Sequence, residues 1–308
     1  MEAASIQAGT PVARRSRGIS ERRLALYMVS PSVLLIALVA AYPIGYAIWL
    51  SLHEYSVRVA GLSRWAGSLG LRNYDAILGD SEFWAAVKTT FIFTAASVTL
   101  ETVIGMGMAL AMHAAFKGQG LLRTVVLVPW AVLTVVTARM WQTIFDPTLG
   151  IVNSILGTDV VWLGQSPEAL IVMIIADVWK TAPFMALLLL AGLQVIPGEI
   201  YEAAKVDGAT MWQRFSKITL PLLMPALLVA LIFRTLDALR IFDLPFVLTK
   251  GAHGTNTLSL IAYQTFTANN IIGKGAALAV VTFIIVMAVS FLYIRFVGGN
   301  IRGMAEET

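Results

Sequence analysis

Apolar residues gather along this chain in stretches too long for the buried core helices of a soluble domain. Runs of about 18 or more apolar residues with few charges mark helices that cross a bilayer. Residues 24–52 carry no charged side chain, and neither do residues 275–294. Four more stretches, 86–116, 121–145, 168–195 and 218–239, are apolar with only isolated charges. The pattern predicts an all-α integral membrane protein with six transmembrane helices at these positions. Pro31 and Pro43 fall in the first span and are expected to kink it, since neighbouring groups in a membrane bundle re-satisfy the backbone that proline frees. Between the spans lie a polar loop at 53–83, a short turn with Lys117, Gly118 and Gly120, a loop at 146–167, a polar segment from Pro197 to Lys217, and a Gly/Asn/Thr-rich loop up to Lys274.

The basic residues orient the bundle. Arg14, Arg15, Arg17, Arg22 and Arg23 precede the first apolar run, which is also how a signal peptide begins. That run is about twice the length of a signal h-region, so it reads as a retained span. An even number of spans puts both termini on one side. With them fall Lys117, Arg123, Lys205, Arg214, Lys217, Arg295 and Arg302, whereas the 146–167 loop on the other side has no Lys or Arg. The positive-inside rule therefore places both termini and the 197–217 segment in the cytoplasm. Arg58, Arg64 and Arg72 in the 53–83 loop run against this, and the remaining loops outvote them.

Composition narrows the function. Only 13% of residues are charged and the mean hydropathy is +0.78. The formal charge of +4 belongs with the cytoplasmic loops rather than with nucleic acid. With no cysteine there is no disulfide or thiol chemistry, and three histidines without an H-E-x-x-H pattern give no metal site. There is no G-x-x-x-x-G-K-[ST] phosphate loop, so the chain does not bind ATP by that route. No cluster of acid, base and nucleophile points to a membrane enzyme.

The most informative stretch runs from Pro197 to Pro221. Pro197 and Glu199 suit a helix N-terminus, where a missing N–H is harmless and negative charge meets the dipole. Ile200, Ala203, Ala204 and Asp207 then recur at spacings of three and four, predicting one face with a small-residue ridge that another surface can approach. Asp207-Gly208 is a stop, and a second helix is predicted over 210–217. A plain connector needs no helix–turn–helix. The residues themselves, Glu202-Ala203-Ala204, then Gly208, then Ile218-x-Leu220-Pro221, resemble the EAA signature of binding-protein-dependent ABC importer permeases.

The resemblance covers 84–298, the transmembrane domain of that family (the MetI-like fold). It leaves a cytoplasmic tail at 1–23, an extra first helix at 24–52, an external loop at 53–83 and a cytoplasmic tail at 299–308. It implies that Glu202, Ala203, Ala204, Asp207, Gly208, Ile218 and Pro221 form the loop that couples the bundle to an ATPase. The implied partners are a second permease subunit, two ATPase subunits at the cytoplasmic face, an extracytoplasmic sugar-binding protein and the bilayer, with no nucleic acid. No cofactor is expected on this chain, since ATP and Mg would act in the ATPase. Pro129, Trp141-x3-Phe145, Gly150-x2-Asn153, Asp177-x-Trp179-Lys180-x2-Pro183-Phe184 and Arg234 to Thr249 look like the maltose/trehalose/glycerol-phosphate branch. Lys250-Gly251-Ala252 departs from the Gly-Gly-Pro often found there.

Charges within spans are costly and by default face the bundle interior or a wet cavity. Glu101 lies in a stripe with Thr94, Ser97 and Gly105; Arg139 comes late in the third span, Asp177 and Lys180 sit three apart in the fourth, and Arg234, Asp237 and Arg240 recur every three residues at the outer end of the fifth. They either pair to hold helices together or line a solute path. Sugars are held by hydrogen bonds from polar groups beside aromatic rings. Trp141, Gln142, Trp179 and Lys180 offer that combination, with Arg234 and Asp237 as further candidates. The resulting expectation is a permease subunit for uptake of a sugar such as the disaccharides trehalose or maltose. A gradient-driven transporter using Glu101 and Asp177, or an ABC permease for a non-sugar solute, are the alternatives.

Overall fold

The computed structural model describes residues 20–57, 63–66, 69–114 and 118–306. Arg14, Arg15, Arg17, Arg58, Gly61, Gly67 and Lys117, and most of the N-terminal tail, lie outside the described residues. The chain divides into two units, Met1–Tyr46 and Ala47–Thr308. The first contains most of helix α1, Glu21–Ser51, which continues through both Pro31 and Pro43.

The second unit opens with an antiparallel hairpin, β1 (Glu54–Val57) and β2 (Ser63–Ala66), in which Glu54 pairs with Ala66. Helix α2, Arg72–Leu78, follows. The Asn73 side chain donates to the carbonyls of Ser51 and His53, 2.9 Å from each, which pins α2 beside the hairpin. Helix α3, Ser81–His113, is capped by Asp80, whose side chain accepts from the Glu82 N–H. The ammonium of Lys274, 2.8 Å away, is the main influence holding the Asp80 carboxyl below the usual carboxylate range.

The third predicted span is not straight. Helices α4 (Gln119–Ala131) and α5 (Thr134–Ile144) meet at a 90° bend. Val132 and Leu133 are extended there, and Pro129 deprives the last turn of α4 of one N–H donor. Apolarity is continuous through the bend, so the hydrophobic pattern cannot reveal it. Helix α6 is Ile151–Leu156, and α7, Glu168–Leu193, continues through Pro183.

Helix α8 is Gly198–Val206. The short α9, Met211–Arg214, passes through a π-helical turn at Phe215–Thr219 into α10, Leu220–Ala238. The second loop helix and the fifth span are therefore one rod, not two elements. The 240–274 loop is also structured, with α11 (Asp243–Leu248), α12 (Leu258–Tyr263) and a second π turn at Gln264–Ala268. Helix α13 runs from Ile272 to Glu306, beyond the predicted end at 294. Among the described residues five helices are long and apolar enough to cross a membrane, or six with the bent pair counted as one.

Helices α3, α7 and α10 form the core. Two apolar layers lie among them, one with Ala109, Met112, Met185, Leu189, Leu193, Leu223 and Leu227 and one with Phe93, Val98, Met173, Ala176, Ala238 and Leu244; a further cluster, with Ile77, Phe83, Leu258 and Leu278, joins α2 and the start of α3 to α12 and α13. In lipid, apolar burial gains little over contact with acyl chains, so close packing and polar contacts must hold such helices together. Gly192 marks the closest approach: a Cβ there would sit 2.4 Å from Ala226 Cβ and 2.7 Å from Leu223 Cδ1. We expect Gly192→Val to destabilise the protein by about 1–3 kcal/mol through overpacking. A Cβ at Gly107 meets nothing within 4 Å, so Gly107→Ala serves as the neutral control. Thermal unfolding of the two variants in detergent checks this.

Candidate functional site

Between the two apolar layers lies a buried ionic cluster. Arg234 on α10 is 2% exposed, and its guanidinium meets carboxylates from two other helices. Its Nε and Nη2 donate to the two oxygens of Glu101 on α3, at 2.5 and 2.7 Å. Nη2 also donates to Asp177 on α7 at 3.1 Å, and Nη1 to Asp237 one turn along α10 at 2.5 Å. Glu101 is fully buried and accepts a further bond from Thr181 Oγ1 at 2.6 Å. Asp237 differs from the other two carboxylates, with its side chain 69% exposed.

Burying an ion costs several kcal/mol after relaxation, which only good geometry and full hydrogen bonding offset. The guanidinium has five N–H donors, and four of them are engaged here. Arg234 was a candidate to line the solute path, yet its burial keeps it from touching a solute. Glu101 and Asp177 complete its coordination. Their positions in otherwise apolar runs were visible in the sequence, but their convergence on one guanidinium was not.

The other candidates separate by position. Trp141 and Trp179 do come together, with ring centroids 6.0 Å apart and nearly perpendicular. Trp141 also stacks on Phe145 at 5.7 Å. Gln142 is committed internally: its amide N–H groups donate to the carbonyls of Val247 and Leu248, and its oxygen accepts from Arg139. It therefore fastens α5 to α11 and has no donor left for a solute. Lys180 donates to the carbonyls of Val132 and Trp130, which the bend between α4 and α5 leaves without helical partners. Trp130 stacks on Phe184 at 5.7 Å, a ring pair that the pattern did not single out, with Phe184 one turn after Lys180 on α7.

The 197–221 segment folds into a rigid turn. Gly208 has φ +75°, a left-handed conformation that costs an L-residue roughly 1–2 kcal/mol. With it, Gly208 N–H bonds the Lys205 carbonyl and Ala209 N–H bonds the Ala204 carbonyl, the paired closure of a helix C-terminus. Thr210 and Gln213 cap the next helix reciprocally. Glu202, Ala203 and Asp207 are exposed, but Ala204 is buried, 9% exposed. The expected two-alanine ridge is thus a single outward alanine, with Ala204 facing the protein's own interior. Tyr201, also on α8, lies 3.1 Å from Thr219 Oγ1 in the π turn, joining α8 to the α9–α10 rod. Ile218 is half-buried in that turn and Pro221 sits exposed in the first turn of α10. Val206 (88% exposed), Met211 (79%) and Trp212 (73%) leave the segment with an apolar outer surface.

Residues 101–301 match the family described as the binding-protein-dependent transport system inner membrane component. The chain belongs to that family. It is an integral inner-membrane transport permease, which sets aside the gradient-driven alternative. The trehalose transport system permease protein SugA of Mycobacterium tuberculosis is 42% identical over 290 residues, covering 94% of each chain. The trehalose/maltose transport system permease protein MalF of Thermococcus litoralis is 43% identical over 281 residues, 89% of this chain and 94% of that one. A chain in the crystal structure of a bacterial ABC transporter that imports the acidic polysaccharide alginate shares the fold. Its TM-score is 0.74 at 24% identity, over 90% of this chain and 97% of that chain.

Removing the cation should be far worse than removing its exposed partner. Arg234→Leu leaves Glu101 and Asp177 buried without their guanidinium and is expected to cost about 3–5 kcal/mol. Asp237→Asn, at an exposed position, should cost less than about 1 kcal/mol. Comparison of the two by thermal stability in detergent tests the asymmetry.

Proposed function

We propose that this permease is the membrane path for an uncharged disaccharide of the trehalose/maltose class, in an importer powered by a separate ATPase. The observation that carries this reading is the identity of 42–43% to two trehalose permeases along nearly the whole chain. A second permease subunit of the same fold completes the path, and an extracytoplasmic binding protein delivers the sugar. Both termini and the 197–221 segment face the cytoplasm, as the basic residues favour.

Two ATPase subunits engage the cytoplasmic segment. Glu202, Ala203, Asp207 and Gly208 present the docking surface, with the apolar Val206, Met211 and Trp212 around it. Ala204 and Ile218 act from within, keeping α8 fixed to the rod, and Pro221 starts α10 at its exposed first turn. No cofactor is bound by this chain; ATP and Mg act in the ATPase. On the solute side, Trp141, Trp179, Lys180 and Asp237 border the path. The exposed charge of Asp237 within a span favours a wet cavity over lipid, and the indole rings supply faces on which a sugar stacks. Gln142 and Arg234 support these residues without touching the sugar.

The test is reconstitution of the permease with its partner subunits and binding protein, measuring ATP hydrolysis across a panel of sugars. Trehalose or maltose should stimulate it most, and a panel in which only a non-sugar solute does so would overturn the substrate assignment. Gly208→Asp and Glu202→Lys should each reduce stimulated hydrolysis at least tenfold, on the order expected for loss of a central contact at an interface. Co-purification of the ATPase should weaken with it.

A further inference from the structure

We propose that Glu101, which no solute can reach, is a positioning residue for Asp237 and acts on it through Arg234. This rests on the reading that Asp237 borders the solute path. A guanidinium is planar and its five N–H bonds point in fixed directions. Glu101 grips one edge of it through Nε and Nη2 at 2.5 and 2.7 Å, and Asp177 takes the second Nη2 hydrogen at 3.1 Å. The direction of Nη1 is then set, and with it the place of the Asp237 oxygen 2.5 Å away. Glu101 is itself held, fully buried, by the Thr181 hydroxyl on α7. The order at Asp237 thus comes from α3 and α7, two helices distant from it in sequence.

A chemical preference follows. Three carboxyl groups surround one guanidinium, and the one that the cluster exposes is Asp237. Four of the five Arg234 donors are occupied, and the Lys180 ammonium is turned to the Val132 and Trp130 carbonyls. The cluster therefore offers a solute an oriented acceptor. A sugar hydroxyl donates to such a group. Glu101 is in this sense a determinant of how a hydroxyl-bearing solute is held, acting at a distance.

Two variants separate positioning from simple helix pairing. The double variant Glu101→Arg/Arg234→Glu keeps an ion pair between α3 and α10 but sets a carboxylate against Asp237. Glu101→Gln is milder, leaving Arg234 with Asp177 and Asp237. In the complex reconstituted with its partner subunits, uptake of radiolabelled trehalose is measured against the concentration of sugar-loaded binding protein. Water-soluble carbodiimide labelling of Asp237, read by mass spectrometry, follows the same residue without any solute. We expect the double variant to assemble, to need about tenfold more sugar-loaded binding protein for half-saturation, as for loss of one charge-assisted hydrogen bond, and to label several-fold faster at Asp237. Glu101→Gln should raise half-saturation about threefold, with its maximal rate little changed. Wild-type half-saturation and labelling in the double variant would show that Glu101 and Arg234 only pair helices, and the proposal would fall. So would a Glu101→Gln variant that loses maximal rate and assembly together while half-saturation stays constant. If the wild-type complex takes up no trehalose, the disaccharide reading fails instead, and the labelling comparison still decides the role of Glu101.

Discussion

A cation buried at the centre of a membrane bundle has to be matched by nearby negative charge, and that requirement organises this protein. Arg234 lies between α3 and α7 on the face of α10, and carboxylates from all three helices converge on it. The apolar layers on either side pack well, but lipid competes with them for every contact. The ionic layer has no such competitor, because neither the guanidinium nor Glu101 has an acceptable alternative in hydrocarbon. It fixes which helices meet and at what height, and leaves one carboxylate, that of Asp237, exposed at the edge.

The same rod that carries Arg234 begins in the 197–221 segment. From Met211 to Ala238 the chain is helical without a break, including the π turn at Phe215–Thr219. Helix α8 is fastened to this rod by Tyr201 and Thr219, and the turn between them is closed by bonds at both ends. Helix α8 is thus joined to α10 by a closed turn and a hydrogen bond rather than by an open loop. π-helical turns recur at functional sites, and this one stands where the proposed coupling segment joins the bundle.

Much of this was legible before the structure. Spans of the right length are written in uninterrupted apolarity, and the stop at Asp207-Gly208 is written in turn chemistry, because both depend on local residue type. The 90° bend at Val132–Leu133 was not, since hydrophobicity does not change across it and only Pro129 hints at it. Ala204 turns inward although its neighbour Ala203 faces out, a difference set by the packing of α8 and invisible in a run of small residues. Arg234, Glu101 and Asp177 each stood out as charges within spans. Which charge meets which depends on helix rotation and height, which periodicity alone does not supply. Gln142 and Lys180 were chosen for chemistry suited to a sugar, and the structure occupies both with backbone carbonyls left free at the α5–α11 junction and at the bend.

The chain contains no cysteine, so a single introduced thiol reports on one position alone. The most direct test of energy entering through the 197–221 segment is to place that thiol by Ala203→Cys and cross-link it, in the assembled membrane complex, to single thiols set along the ATPase surface. A cross-link that forms in high yield at one ATPase cleft and blocks ATP-driven sugar uptake until it is reduced is the predicted result. Absence of any ATPase cross-link in a complex that still imports sugar would contradict it.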